Sequence, residues 1–354
     1  MSGGKVTASS NSPMQRRAVV SLALSAVLPG LIAYSTSVPV PSHAYGHPGS
    51  LPVATVEYEW HDDSRDRDVP VKVYYPTTGG QPLPVIIFSH GLGGSREGYE
   101  YLGRHWASHG YVSVHPTHIG SDTSVLMQGS RPLESMRKAA ADLHNAIDRP
   151  KDVSFVIDRL TAMNKSDAKF KGRLALDKIG VAGHSFGGYT ALATAGQSFV
   201  GLGGRSQSLG DPRIKAVIAM SAPAKRRDDA TMDQTYGSIK APCFHMTGTR
   251  DDSPIGETRA EDRRIPFDHM FGGDNFLLIF TDGDHMVFSG RQRRFEGGDK
   301  DERFHELILQ GSTAFWDAYL KGDADARKWL ADGGFRNALG KDGTFEKRTG
   351  GVQH

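Results

Sequence analysis

The stretch Val181-Ala182-Gly183-His184-Ser185-Phe186-Gly187-Gly188 limits what this chain can fold into more than any other. It sits between an apolar run at 179–182, which reads as a strand, and a run at 190–195, which reads as a helix. A Gly-x-Ser-x-Gly turn joining a strand to a helix is a nucleophile elbow. The turn is so tight that the residues two before and two after the serine must be small, and the serine hydroxyl is left standing clear. The pentapeptide recurs by chance in glycine-rich chains, and this one holds 42 glycines, so the neighbouring elements have to carry the reading.

Those elements alternate. Segments 53–60 and 69–75 have strand character and enclose a charged turn, which predicts an antiparallel hairpin. Strands follow at 84–89, 111–115, 179–182, 214–220, 243–247 and 276–280. Several are apolar without alternation, as expected of strands covered on both faces of a mostly parallel sheet. Helical spacing appears at 99–109, at 133–147 and 153–163 with Pro150 between them, and from about 302 to 320, the last clear element. The expectation is a single α/β domain over 45–354: a mostly parallel, doubly wound sheet with helices on both faces and an N-terminal hairpin.

Residues 1–44 read differently. Arg16-Arg17 precede an apolar run at 18–34 that is broken by Ser21, Ser25, Pro29 and Gly30, and the small-residue site Ser42-His43-Ala44 follows. That order predicts a secretory signal, with the mature chain starting near Tyr45 and exported to a periplasm or beyond. The run is short for a membrane span, so no stable anchor is expected once the signal is removed. The net charge of +2 owes three cations to this segment, and without them 39 basic residues face 40 acidic ones. Such a balance gives no reason to expect a nucleic-acid partner. Cys243 is the only cysteine, so no internal disulfide can form.

The chemistry is suggested by where the polar residues fall. Ser185, Asp251 and His285 each lie just past the end of an expected strand, in the chain order Ser, Asp, His. That sheet edge is where open α/β sheets bind ligands. In the roles that follow, His285 takes the proton from Ser185 as it attacks a carbonyl, and a carboxylate orients the imidazole. Asp251 and Asp252 both stand at the right edge, and the spacing Gly248-x-x-Asp251 favours the first. The developing oxyanion needs backbone donors. His90-Gly91-Leu92-Gly93-Gly94, a glycine-rich turn after a buried strand, offers Leu92, and the elbow offers Phe186; His90 reads as structural. Met286 and Phe288 read as lining an acyl pocket. His115 and His118 lack companions for a metal site and read as pocket-lining or surface residues, so neither metal nor cofactor is expected.

Phe88-Ser89-His90-Gly91-Leu92-Gly93-Gly94, Gly183-His184-Ser185-Phe186-Gly187-Gly188 and Asp284-His285-Met286 resemble the motifs of α/β-hydrolases related to platelet-activating-factor acetylhydrolase and to predicted dienelactone hydrolases, over about 52–330. The resemblance implies a serine esterase acting on a small or lipid-like ester, with Ser185 as nucleophile, His285 as base, and Leu92 and Phe186 as oxyanion donors. There are two departures. Dienelactone hydrolases proper use a cysteine nucleophile. In the acetylhydrolase pattern the acid follows the strand next after the elbow, yet here that strand runs into Ser221-Ala222-Pro223. Amide or polyester hydrolysis on the same fold stays open, because substrate choice is set by loops such as 117–149 and 253–274. A non-catalytic binding module is the reading from another class. Oligomeric state is not legible.

Overall fold

The computed structural model describes residues 45–127, 130–200, 206–290 and 298–350. The signal expected at 1–44 lies outside the described residues. Strands β1 (Val53–Asp62) and β2 (Arg67–Pro76) form the hairpin, paired from Val53 with Pro76 to Asp62 with Arg67. Then come β3 (Leu83–Ser89), α1 (Glu100–Ser108), β4 (Val112–Pro116), α2 (Pro132–Ala141), α3 (Leu143–Ser166), β5 (Leu174–His184) and α4 (Phe186–Thr194). The rest comprises β6 (Ile214–Met220), α5 (Asp229–Tyr236), β7 (Cys243–Arg250), α6 (Ile265–His269), β8 (Asn275–Asp284), α7 (Gly298–Trp316), α8 (Ala324–Ala331), α9 (Gly334–Leu339) and β9 (Gly343–Arg348).

Among the described residues these strands make one nine-stranded sheet, in the order β1-β2-β4-β3-β5-β6-β7-β8-β9. Pairing is parallel from β4 through β8 and antiparallel at both edges. That is an α/β-hydrolase sheet.

Strand periodicity divides the core into two layers. Along β3, Val85 and Ile87 face one layer with Val153, Val156, Ile157 and Leu160 of α3. Ile86 and Phe88 face the other, with Trp106 of α1 and Leu307, Ile308, Phe315 and Trp316 of α7. Both faces of the central strands are therefore buried, which is why their sequences do not alternate. Cys243 is buried on β7.

Three expectations fail here. Pro150 does not divide two helices: it lies inside α3, and the break falls at Asp142, whose side chain accepts from the His144 amide as an N-cap. Proline lacks the N–H that would serve the Ala146 carbonyl, and the Tyr189 hydroxyl supplies that hydrogen bond instead, at 3.3 Å. The chain also does not end its ordered elements at 320, since α8, α9 and β9 follow. β9 is a short edge strand with only Phe345 buried, so its sequence carries little apolar signal. Finally, Phe288 is a fully buried core residue that packs on the His184 ring at 5.7 Å.

Candidate active site

The elbow is shaped by contacts no side chain could enter. Ser185 has φ 57° and ψ −119°, a left-handed conformation that a non-glycine residue adopts only at a cost of about 1–3 kcal/mol. A Cβ on Gly183 would lie 2.1 Å from the Gly187 oxygen, and one on Gly187 would lie 1.9 Å from the Ser89 oxygen. Only glycine fits either position. The Ser185 amide donates to the Met220 carbonyl at 2.9 Å, tying the turn to the end of β6.

From this turn a chain of hydrogen bonds runs inward. Ser185 Oγ lies 2.9 Å from His285 Nε2, and His285 Nδ1 lies 2.7 Å from Asp251 Oδ1. The carboxylate can only accept, so Nδ1 carries the proton and Nε2 is free to accept from the serine hydroxyl. The three residues come from the ends of β5, β7 and β8, brought together because those strands run parallel and nearly side by side.

Asp251 has no exposure to solvent and is held by more than the histidine. Ser221 Oγ donates to Oδ2 at 2.6 Å and Thr247 Oγ1 at 2.7 Å. Arg263, itself buried, has Nη2 at 3.3 Å from Oδ1, and its other nitrogens donate to the carbonyls of Asp251 and Ser221. Arg263 Nη2 also lies 3.2 Å from His285 Nδ1, but with a proton on Nδ1 that pair consists of two donors, so the attraction is to the carboxylate. Burial lowers the Arg263 guanidinium from its ordinary value. Ser221 stands at the end of β6, where the resemblance would put the acid, and there it donates to Asp251 from the next strand. Asp252 is exposed and accepts from the Ala260 amide at 2.9 Å, at the start of the turn at 260–264.

His285 is also held from behind. His184 Nε2 donates to the His285 carbonyl at 2.8 Å, and its Nδ1 accepts from the Tyr99 hydroxyl, also at 2.8 Å. Burial, then the neighbouring His285, keep the His184 imidazole well below the usual histidine range, so it stays neutral in this role.

A cavity of about 590 Å³ opens over Ser185 and His285. Leu92, Leu126, Met136, Ile255 and Met286 supply apolar lining, drawn partly from the loops at 117–149 and 253–274; Phe288 is not among the lining residues. Gly91 and Leu92 border the same cavity. Neither the Leu92 nor the Phe186 amide has a backbone acceptor among the described residues. His115 and His118 are both buried, neither on the surface nor in the cavity wall, and His118 spans Ser89 Oγ and Asp152 at 2.9 Å each. Among the described residues no group of three or more His, Cys, Asp or Glu is placed to hold a metal ion, and no helix is long and apolar enough to cross a membrane.

Sheet order, elbow and edge site together give the chain the α/β-hydrolase fold. A chlorophyllase family model matches residues 42–204, which takes in the Leu92 turn and the elbow but stops before Asp251 and His285. Among curated proteins, platelet-activating factor acetylhydrolase of Cavia porcellus is 30% identical over 306 residues, covering 77% of this chain and 66% of that protein. The Bos taurus protein of the same name is 27% identical over 223 residues, covering 53% of this chain and 45% of that protein. The chain thus spans two thirds or less of the length of these relatives.

Sequence reasoning missed Arg263, the donor role of Ser221, and the Tyr99–His184 brace. A lone arginine or serine in a loop carries no periodicity or spacing signal. Only the absence of a carboxylate after β6 hinted that something else stands there.

Proposed function

We propose that this chain is a serine esterase in which Ser185 is the nucleophile, His285 the general base and Asp251 the orienting acid. The observation that carries the reading is the Ser185–His285–Asp251 hydrogen-bonded chain on a strained elbow facing a cavity. In the first step Ser185 Oγ bonds to the ester carbonyl carbon while its proton passes to His285 Nε2. The carbonyl oxygen becomes an oxyanion, to which the Leu92 and Phe186 amides donate. The bond to the alcohol oxygen then breaks, and His285 returns the proton to that leaving group, which leaves an acyl-serine. A water deprotonated by His285 repeats the sequence, releasing the acid and restoring Ser185. Asp251 stays ionised throughout and stabilises the imidazolium.

Relatives named acetylhydrolases make a short acyl group on a small or lipid-like ester the first substrate to try. Residues 45–354 form the catalytic domain in this reading, and 1–44 direct export. A fluorophosphonate probe should label Ser185, and p-nitrophenyl esters from acetate to palmitate should be turned over with a preference that reports the cavity's acyl limit. Absence of both labelling and turnover in folded protein would sink the esterase reading. N-terminal sequencing of exported material should find a start near Tyr45; Met1 intact on protein retained in the cytoplasm would refute the export signal.

A further inference from the structure

Arg149 of α3 is a fully buried cation that no carboxylate pairs with directly among the described residues. Its near neighbour Asp152 is occupied by Arg65, Arg67 and His118. Burying a guanidinium without a direct counter-ion is unfavourable, and burial pushes the Arg149 pKa down to about 9. What the side chain does hold is the turn beside Ser185. Nη1 donates to the His90 carbonyl at 2.7 Å and Nε to Ser121 Oγ at 2.9 Å, and Nη2 reaches the Ser121 carbonyl at 3.4 Å. That Ser121 carbonyl in turn accepts from the Gly93 amide at 2.9 Å. The guanidinium also lies 4.3 Å from the centre of the Phe186 ring, a cation–π distance.

The His90 ring converts this anchoring into the direction of one peptide. The His118 amide donates to His90 Nε2 at 3.0 Å, so the ring proton is on Nδ1, which donates to the Gly91 carbonyl at 2.6 Å. The Gly94 amide donates to the same carbonyl at 3.0 Å. In a trans peptide the C=O and N–H point in opposite directions. With the Gly91 oxygen held on the His90 side, the Leu92 N–H is turned the other way and cannot flip without breaking two hydrogen bonds.

We propose that Arg149 is the positioning residue of the oxyanion hole, locking the His90-Gly91-Leu92 turn and the Phe186 turn into one geometry from behind. It touches no substrate. The proposal rests on the esterase reading above and goes beyond it, because it makes one buried cation responsible for both donors.

The test uses the full chain, p-nitrophenyl acetate, and an aryl trifluoromethyl ketone, which forms a tetrahedral oxyanion with a serine nucleophile. Active sites are counted by end-point fluorophosphonate titration. Arg149→Met removes the charge, and Arg149→Lys keeps it but cannot span the same acceptors. In both, kcat per active site should fall about a hundredfold or more, the usual scale for loss of an oxyanion donor, with KM changed by less than about threefold, as for an interaction made only in the transition state. Affinity for the ketone should fall in parallel with kcat/KM. A purely structural arginine would lower the folded fraction while leaving kcat per site and ketone affinity unchanged, and that result would overturn the proposal. If neither variant folds, Ser121→Ala decides, because it removes one anchor and leaves the guanidinium. Its kcat and ketone affinity should fall together by about three- to tenfold, the worth of one hydrogen bond, and no change in either would overturn the proposal. A wild-type protein that neither hydrolyses ester nor labels at Ser185 would instead remove the esterase reading on which the proposal stands.

Discussion

The half of the molecule that carries the elbow and the Leu92 turn, 53–194, and the half that carries Asp251 and His285, 214–348, hold their parts of the site by different means. In the first, backbone is fitted against backbone. Gly183 and Gly187 stand where a Cβ would fall within about 2 Å of a carbonyl oxygen, and the Ser185 turn is strained. In the second, Gly248 is also pressed against backbone, a Cβ there falling 2.2 Å from the Gly283 oxygen, but the buried carboxylate itself is held by side chains, which Ser221, Thr247, His285 and Arg263 supply. Backbone fitting tolerates almost no substitution and leaves a short, regular motif. Side-chain convergence can be built from several residue types on any loop that reaches, so it leaves almost none. The family match to residues 42–204 covers the first half and stops short of the second.

Mutation can break this comparison. The largest effect belongs to Ser185→Ala, which should lower kcat by about a millionfold, the scale seen when a nucleophile of this type is deleted. Circular dichroism should be unchanged, because the hydroxyl is not a packing group. Ester turnover that survives the change would mean the elbow serves only as structure.

Asp251→Asn should lower kcat by about ten-thousand-fold where the imidazole tautomer depends on the carboxylate. Asp252→Asn serves as its control, and as an exposed acceptor that asparagine can replace it should stay within about twofold. A reversal of that order would make Asp252 the acid and discredit the convergence described for the second half.

Acid should separate the halves by stability. In the first, burial pushes His105 and His115 down to about 3 and His118 to about 4; in the second, burial pushes His245 down to about 3. The unfolded chain binds these protons below about pH 6.5, whereas the folded chain does not until about pH 3–4. These groups therefore contribute their full stability above about pH 6.5 and lose it as pH drops through that window. Thermal melts from pH 7 to 4.5 should show the loss. Hydrogen exchange at pH 5 should find it first in β3, α1 and β4, and earlier opening of β7 and β8 would contradict the assignment.

The smallest loss expected at a residue that touches Asp251 sharpens the comparison most. Ser221→Ala removes one of the donors on Asp251 and should cost about tenfold in kcat, since a hydrogen bond to a buried charge is worth about 1.5–3 kcal/mol and the remaining donors share the load. An effect as large as that of Asp251→Asn would show that the serine is indispensable to the acid.

How much of this was legible follows the same division. Strand order along the chain, the elbow, and the separate positions of Ser185, Asp251 and His285 at strand ends could all be read from runs of apolar residues and from glycine spacing, because these record local demands of the backbone. Helix α3 was misread because a proline signal is local, whereas the hydroxyl of Tyr189 that serves the freed Ala146 carbonyl comes from another element. The final helices and β9 went unread because a half-exposed edge has no strong pattern. What only the tertiary structure decided is which groups meet: Arg263 on Asp251, His184 behind His285, Arg149 beneath Phe186. The sequence by itself determined an α/β sheet with a tight Gly-x-Ser-x-Gly turn, since a glycine that no Cβ can replace is written at its own position. A hydrogen bond between residues dozens of positions apart is written at neither, because its partners are set by how parallel strands stack.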